Sequence, residues 1–392
     1  MNKKQLLLII LAGAILGAAG LVMYKKEQNS WNQTARPREK LITDFPLNDV
    51  AKITVKGGSG ELNLVKQDDL WCVQEREGFA ANYSDIKEFL QKMWELKGGQ
   101  PVEVSQSQLS RLELLPPGKG ASAGTQVEFK DKSGKLLHTL LLGKKHMKKS
   151  PGGMGGMGGG EWPDGRYVMV NGETASVSLL TEAFSNLEPK PEQWLSKDLI
   201  KVEKVKAITL VSTNATNSWK VTRETEAGEW KLADAGKDEQ IDSVKVSSAS
   251  TALSSASLTD VVAATTKAET TGLDKPTVIT LETFDGFTYV LKFGNKTSDD
   301  NGYYTSFTVA ANLPKERTPG KDEKKEDKDR LDKEFKDNLK KSEEKLQKEK
   351  SLEKWNYVVA KWTVESLFKP RPEMLAPKKE EPKPEEKKDD KK

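Results

Sequence analysis

Thr277-Val278-Ile279-Thr280-Leu281, a turn at Asp285-Gly286, and Tyr289-Val290-Leu291-Lys292-Phe293-Gly294-Asn295-Lys296 decide the fold. Apolar residues alternate at period two on both sides of a glycine-bearing turn, the pattern of an antiparallel hairpin with one buried face. An earlier block repeats it: Gln126-Val127-Glu128-Phe129, a turn at Gly134, then His138-Thr139-Leu140-Leu141-Leu142-Gly143-Lys144-Lys145. Val127 to Gly143 and Val278 to Gly294 have the same separation, so the blocks align without a gap and predict an internal duplication.

The correspondence extends outward in both directions. Val50-Ala51-Lys52-Ile53-Thr54-Val55 leads to a strand ending at Trp71-Cys72-Val73. Val205 to Val211 leads to Trp219-Lys220-Val221 and then Trp230-Lys231-Leu232. Ser84-Asp85 caps a helix whose Ile86, Phe89, Leu90, Met93 and Trp94 form one buried stripe. Its counterpart after Asp242-Ser243 uses Val244, Ala249, Ala252, Leu253 and Ala256. Downstream, 166–170 and 177–180 pair in pattern with 303–307 and 357–360. The expected fold class is α+β: two tandem repeats of a mostly antiparallel β-sheet with a packed helix, plus one N-terminal transmembrane helix.

That transmembrane expectation comes from the uncharged run Leu6–Tyr24, bounded by Lys3-Lys4 and Lys25-Lys26. As a helix it spans roughly 28 Å, close to the hydrocarbon thickness. A cleaved export signal competes, with Gly17-Ala18-Ala19 as the cleavage site. Continuation through Leu21-Val22-Met23 favours an anchor, and no cysteine follows to make a lipoprotein. Positive charge after the run argues for a cytoplasmic domain. Because large domains translocate regardless of such charge, we expect a single-pass cell-membrane protein, N-terminus cytoplasmic and soluble domains extracytoplasmic.

The expected organisation is 1–26 anchor, 27–38 linker, 39–190 first repeat with a Gly/Met-rich loop at 146–164, and 191–376 second repeat. A charged helical insertion falls at 313–354 and a disordered charged tail at 377–392. Leu331, Phe335, Leu339 and Leu346 give the insertion a narrow, coiled-coil-like stripe, suited to an exposed protrusion or a docking helix.

The order Lys-Leu-Ile (40–42), Val-Ala-Lys-Ile-Thr-Val (50–55), Leu-Trp (70–71), helix, Leu-Leu-Gly-Lys-Lys (141–145) and Arg-Tyr-Val (166–168) resembles the bacterial "domain of unknown function 4340" family. Glu192 to Ile200 fits it as well. The resemblance runs from 39 to 376 in two tandem copies. It implies an N-terminal anchor and, by analogy, association with auxiliary subunits of gliding-motility-type ABC transporters, with no catalytic residue assigned.

Chemistry is sparse in the sequence. With 63 basic and 59 acidic residues the chain lacks a basic footprint, so nucleic acid is not expected as a partner. Phosphate-loop, dinucleotide, nucleophile-elbow and zincin motifs are absent. Cys72, beside Trp71 in a strand, reads as a buried inert thiol, and His138 as a satisfied, partly buried ring. His146, Met147, Met154 and Met157 could hold copper(I) through soft thioethers, yet a mobile polyglycine loop is the plainer reading. We expect no catalytic, cofactor-binding or metal residues and no cofactor. The expected function is a membrane-anchored, extracytoplasmic, non-catalytic interaction module, accessory to an ABC transporter or envelope complex, with protein partners. The alternative is an envelope hydrolase using carboxylates in a cleft between the repeats.

Overall fold

A computed structural model describes residues 40–149, 161–319 apart from 213, 238 and 264, and 323–377. The apolar run 6–24, the linker 27–38, Met154 and Met157 of the Gly/Met-rich loop, and the tail beyond 377 lie outside the described residues. The chain forms two compact units. Of the described residues, the first holds 40–61 and those within Asp85–Pro189, and the second holds Leu62–Ser84 and those from 190 to 377.

Strands β1 (Lys52–Gly57), β2 (Gly60–Gln67), β3 (Leu70–Val73) and β4 (Phe79–Ala80) precede helix α1 (Tyr83–Glu95). Then come β5 (Gln100–Pro101), β6 (Thr125–Lys130), β7 (Leu136–Lys149), β8 (Glu161–Val170) and β9 (Ser178–Leu180). Within the first unit the hydrogen-bonded order is β1-β6-β7-β8-β9-β5, antiparallel throughout. Ile86, Phe89, Leu90 and Met93 bury the face of α1 read from its period, and Phe89 stacks on Phe129 at 5.9 Å. Trp94 departs from that stripe. It is 43% exposed, with the Lys40 Nζ 3.6 Å above its ring. At 100° per residue it sits at the stripe's edge, where a cation on the ring face competes with burial.

The second unit contains β10 (Val205–Val211), β11 (Trp219–Thr222), β12 (Lys231–Leu232), α2 (Ser243–Thr251) and β13 (Leu258–Val261). A short helix α3 (Ala268–Thr271) follows, then β14 (Thr277–Thr283), β15 (Phe287–Lys296) and β16 (Gly302–Ala311). A long helix α4 (Lys325–Ser351) leads to β17 (Tyr357–Ala360), α5 (Lys361–Val364) and α6 (Arg371–Met374). Its sheet runs β12-β11-β10-β14-β15-β16-β17-β13. In each sheet the strand that follows the helix goes to the far edge, and the next four form a meander. The two antiparallel sheets with their helices make the chain α+β.

The hairpins correct the gapless alignment. In β6–β7 the register passes through Val127↔Leu140 and Phe129↔His138, then shifts to Lys130↔Leu136, leaving Leu137 as a bulge. In β14–β15 it runs from Thr277↔Phe293 to Glu282↔Thr288 without a shift. Buried Val127 and Phe129 therefore match buried Ile279 and Leu281, not Val278 and Thr280. One bulged residue restores the spacing from His138–Gly143 onto Tyr289–Gly294.

Helix α2 is also rephased. Asp242 accepts from the Val244 and Lys245 amides as its N-cap, and those amides hold the Asp242 carboxyl below its usual range. Val246 and Ala249 are the buried pair, while Val244, expected inside, is 76% exposed. A Ser-rich helix with small apolar residues gives little periodic signal from which to set the phase. Helix α4 forms inside the expected insertion. Leu331, Phe335, Leu339 and Leu346 are half-buried, and among the described residues its main neighbour is β16 rather than a second helix. The coiled-coil reading is not supported.

Candidate interaction surfaces

Glycines in the central strands position what lies above them. A Cβ on Gly143 would fall 2.3 Å from the Leu112 carbonyl oxygen, and one on Gly294 would fall 2.0 Å from that of Thr271. In both units a helical turn ends in a left-handed cap, Glu113 (φ 55°) or Gly272 (φ 63°), and crosses the strand at its glycine. In the first unit Leu109, Leu114, Leu141, Met169 and Val177 form a small core beneath that crossing. Arg166, 9% exposed, donates from Nε to the Gly143 carbonyl at 2.8 Å, and burial pushes its proton affinity down.

A groove of about 620 Å³ opens beside this crossing, with Val102, Val104, Arg111, Lys144, Lys145 and Tyr167 among its walls. Farther along, Lys145–Lys149 and Glu161–Arg166 pair with one another. β6 reaches only Leu142 and β9 only Arg166, so beyond those points the two strands continue as a ribbon. His146 Nδ1 lies 2.6 Å from Asp164 Oδ1, and that hydrogen bond holds the Asp164 carboxyl below its usual range. Met147 is 44% and Trp162 43% exposed.

In the second unit a groove of about 700 Å³ is bordered by Val211, Ala215, Trp219, Asp234 and Arg371. Arg371 bridges Asp234 at 2.9 Å and Glu239 at 2.7 Å, and its proton affinity is raised, chiefly by the Glu239 hydrogen bond. Both grooves have the size of small-molecule sites but mix charge with apolar wall.

The C-terminal part of α4 is latched to its unit by a buried carboxylate. Glu349 is 4% exposed and accepts from the Tyr289 hydroxyl at 2.8 Å, Lys345 Nζ at 2.6 Å and the Lys201 amide at 3.1 Å. Burial first, and Glu349 second, push the Tyr289 hydroxyl above its ordinary range.

Every carboxylate with a resolved shift among the described residues is shifted downward. Hydrogen bonds from hydroxyls, amides and lysines keep these groups ionised, which is ion-pair chemistry rather than general-acid chemistry. Asp300 is the extreme case: Lys361 at 2.8 Å and Lys296 at 2.9 Å hold its carboxyl down to about 2. A lowered folded-state value means that the stability it contributes is full above its unfolded value and is lost as pH falls through about 2. In an acid titration followed by NMR, the Asp300 carboxyl should titrate at about 2. A value near 4, the ordinary aspartate value, would contradict the pairing.

The residues singled out in the sequence do not converge. Cys72 is buried, and burial pushes its thiol up, as expected of an inert core cysteine. Trp71 and Trp230 are both core, Arg223 lying 4.6 Å over the Trp230 ring. The His138 ring is partly buried as expected but not satisfied: its Nε2 is 3.4 Å from the Asp44 carbonyl and its ring 5.9 Å from Phe45, while its buried Nδ1 has no hydrogen-bond partner among the described residues. The His146 Nδ1 is bonded to Asp164, and Met154 and Met157 lie outside the described residues, so the described residues do not test the copper reading.

Residues 157–276 match the model of the family described as Domain of unknown function (DUF4340). The resemblance is shown for that stretch. The domain-of-unknown-function match covers under a third of the chain and one copy, against the two copies expected over 39–376. It takes in β8 to β13, α2 and α3, and stops just before β14. No curated protein and no solved structure matches the chain.

Proposed function

We propose that this chain is a membrane-anchored, extracytoplasmic, non-catalytic interaction module whose soluble part is a tandem duplication of one sheet-and-helix unit. The observation that carries it is the uncharged run Leu6–Tyr24 ahead of two sheets in which β1-β6-β7-β8-β9-β5 and β10-β14-β15-β16-β17-β13 follow the same order. The shared crossing glycines, Gly143 and Gly294, support the duplication independently of strand order. The second unit also exposes large apolar side chains, Trp362 at 79%, Val244 at 76% and Leu70 at 67%.

The reading places the chain beside a transporter or other envelope complex, where it holds protein partners near the bilayer. Membrane fractionation tests it. The chain should resist extraction from native membranes by alkaline carbonate, and its second unit should be digested by protease added from the extracytoplasmic side. Release into the carbonate supernatant, or protection of the second unit from that side, would contradict the reading.

A further inference from the structure

We propose that the β7–β8 ribbon docks onto an anionic phospholipid surface, its lysines on the headgroups and Trp162 at the interface. Three lysines lie within five residues, at 144, 145 and 148. Lys144 and Lys148 are exposed and Lys145 half-exposed, and among the described residues none of these three makes an ion pair within 4 Å. The ribbon's carboxylates are engaged: Asp164 by His146 at 2.6 Å, while Glu161 has its own interaction. Lys148 also acts on the Asp164 carboxyl from a distance, while Lys144 and Lys145 carry no ion pair among the described residues, so positive charge remains in surplus.

Trp162 and Met147 stay nearly half exposed on the same two strands. Lysine attracts an anionic leaflet within a Debye length, and indole settles at the headgroup level, so both chemistries select the same partner. Nucleic acid fits less well, because the net charge is only +4 over 392 residues. The proposal rests on the anchored reading only in that the anchor supplies a nearby bilayer.

The test uses the full chain, with Cys72→Ser and Met147→Cys, the new thiol carrying a bimane fluorophore. It is placed in vesicles of phosphatidylcholine, with or without phosphatidylglycerol, doped with spin-labelled lipid. Quenching of the label in the anionic vesicles, relieved by raised salt and weak in neutral vesicles, is expected. Because each basic residue contributes roughly five-fold to such binding, Lys144→Gln, Lys145→Gln and Lys148→Gln together should reduce the docked fraction relative to the undocked by about a hundred-fold. Their exposed positions should leave the melting curve unchanged.

Equal quenching in neutral and anionic vesicles, or none in either, overturns the proposal. So does retention on heparin without lipid quenching, which would assign the ribbon to another polyanion. Carbonate resistance of the same vesicles reports the anchor separately. If the chain washes off, it is added back to vesicles of both compositions and the label is read again.

Discussion

Replacing Gly294 with alanine should destabilise the second unit by about 3 kcal/mol, the top of the usual range for overpacking. The added Cβ would lie 2.0 Å from the Thr271 carbonyl oxygen and 2.9 Å from the Gly272 carbonyl carbon, both backbone atoms that cannot swing aside. The crossing turn would have to lift from β15 and open the packing around the left-handed cap at Gly272. Gly143→Ala should act likewise in the first unit, against the Leu112 carbonyl oxygen at 2.3 Å. Gly58→Ala is the control, since nothing lies within 4 Å of its Cβ. Urea unfolding reads all three. At roughly 2–4 °C per kcal/mol for a unit of this size, the Gly294 variant should melt some roughly 6–12 °C lower. Unchanged melting would mean that the crossing turns do not pack as described.

Glu349→Ala is the second large effect. It leaves the Tyr289 hydroxyl, the Lys201 amide and the Lys345 ammonium without their shared acceptor. Breaking a buried pair costs about 3–5 kcal/mol. Lys345 is one-third exposed, and water compensates part of its loss, so about 3 kcal/mol is expected here. Tyr289→Phe removes the hydroxyl's bonds to Glu349 and Lys345 but leaves the ion pair in place, and should cost less, about 2 kcal/mol. Limited proteolysis adds a local readout: helix α4 should be cut faster in the Glu349 variant while the first unit keeps its resistance. A Glu349→Ala protein within about 0.5 kcal/mol of the parent, the scatter of ordinary surface changes, would contradict the latch.

Sequence legibility followed signal strength. The hairpins at 125–142 and 277–293 were readable because β6, β14 and β15 bury every second residue, although β7 buries Leu140, Leu141 and Leu142 in a row. Helix α1 was readable through large residues at helical spacing. The bulge at Leu137 was not, since one extra residue changes register without changing composition. Edge strand β5 has two residues and β13 four, too short for any period to show.

Functional geometry was harder to see. Glu349 is one of 59 acidic residues, inside a helix crowded with charge, and nothing local marks it as buried. Arg166 was quoted only for its place in a strand, although it is almost fully buried. Gly143 and Gly294 offered a usable signal, because a glycine kept at the same point of both hairpins points to a close backbone approach. Exposed lysines of the ribbon looked like any solvated run until pairing showed two strands continuing past their sheet.

Photocrosslinking in native membranes bears most directly on whether this chain works by holding other proteins. With benzoylphenylalanine in place of Trp362, the most exposed large apolar side chain among the described residues of the second unit, irradiation should yield a discrete adduct with a membrane-complex component. A silent control with the probe at buried Leu367 should give none. Recovery of the uncrosslinked chain alone from irradiated membranes, at Trp362 and at Val244 alike, would contradict the account.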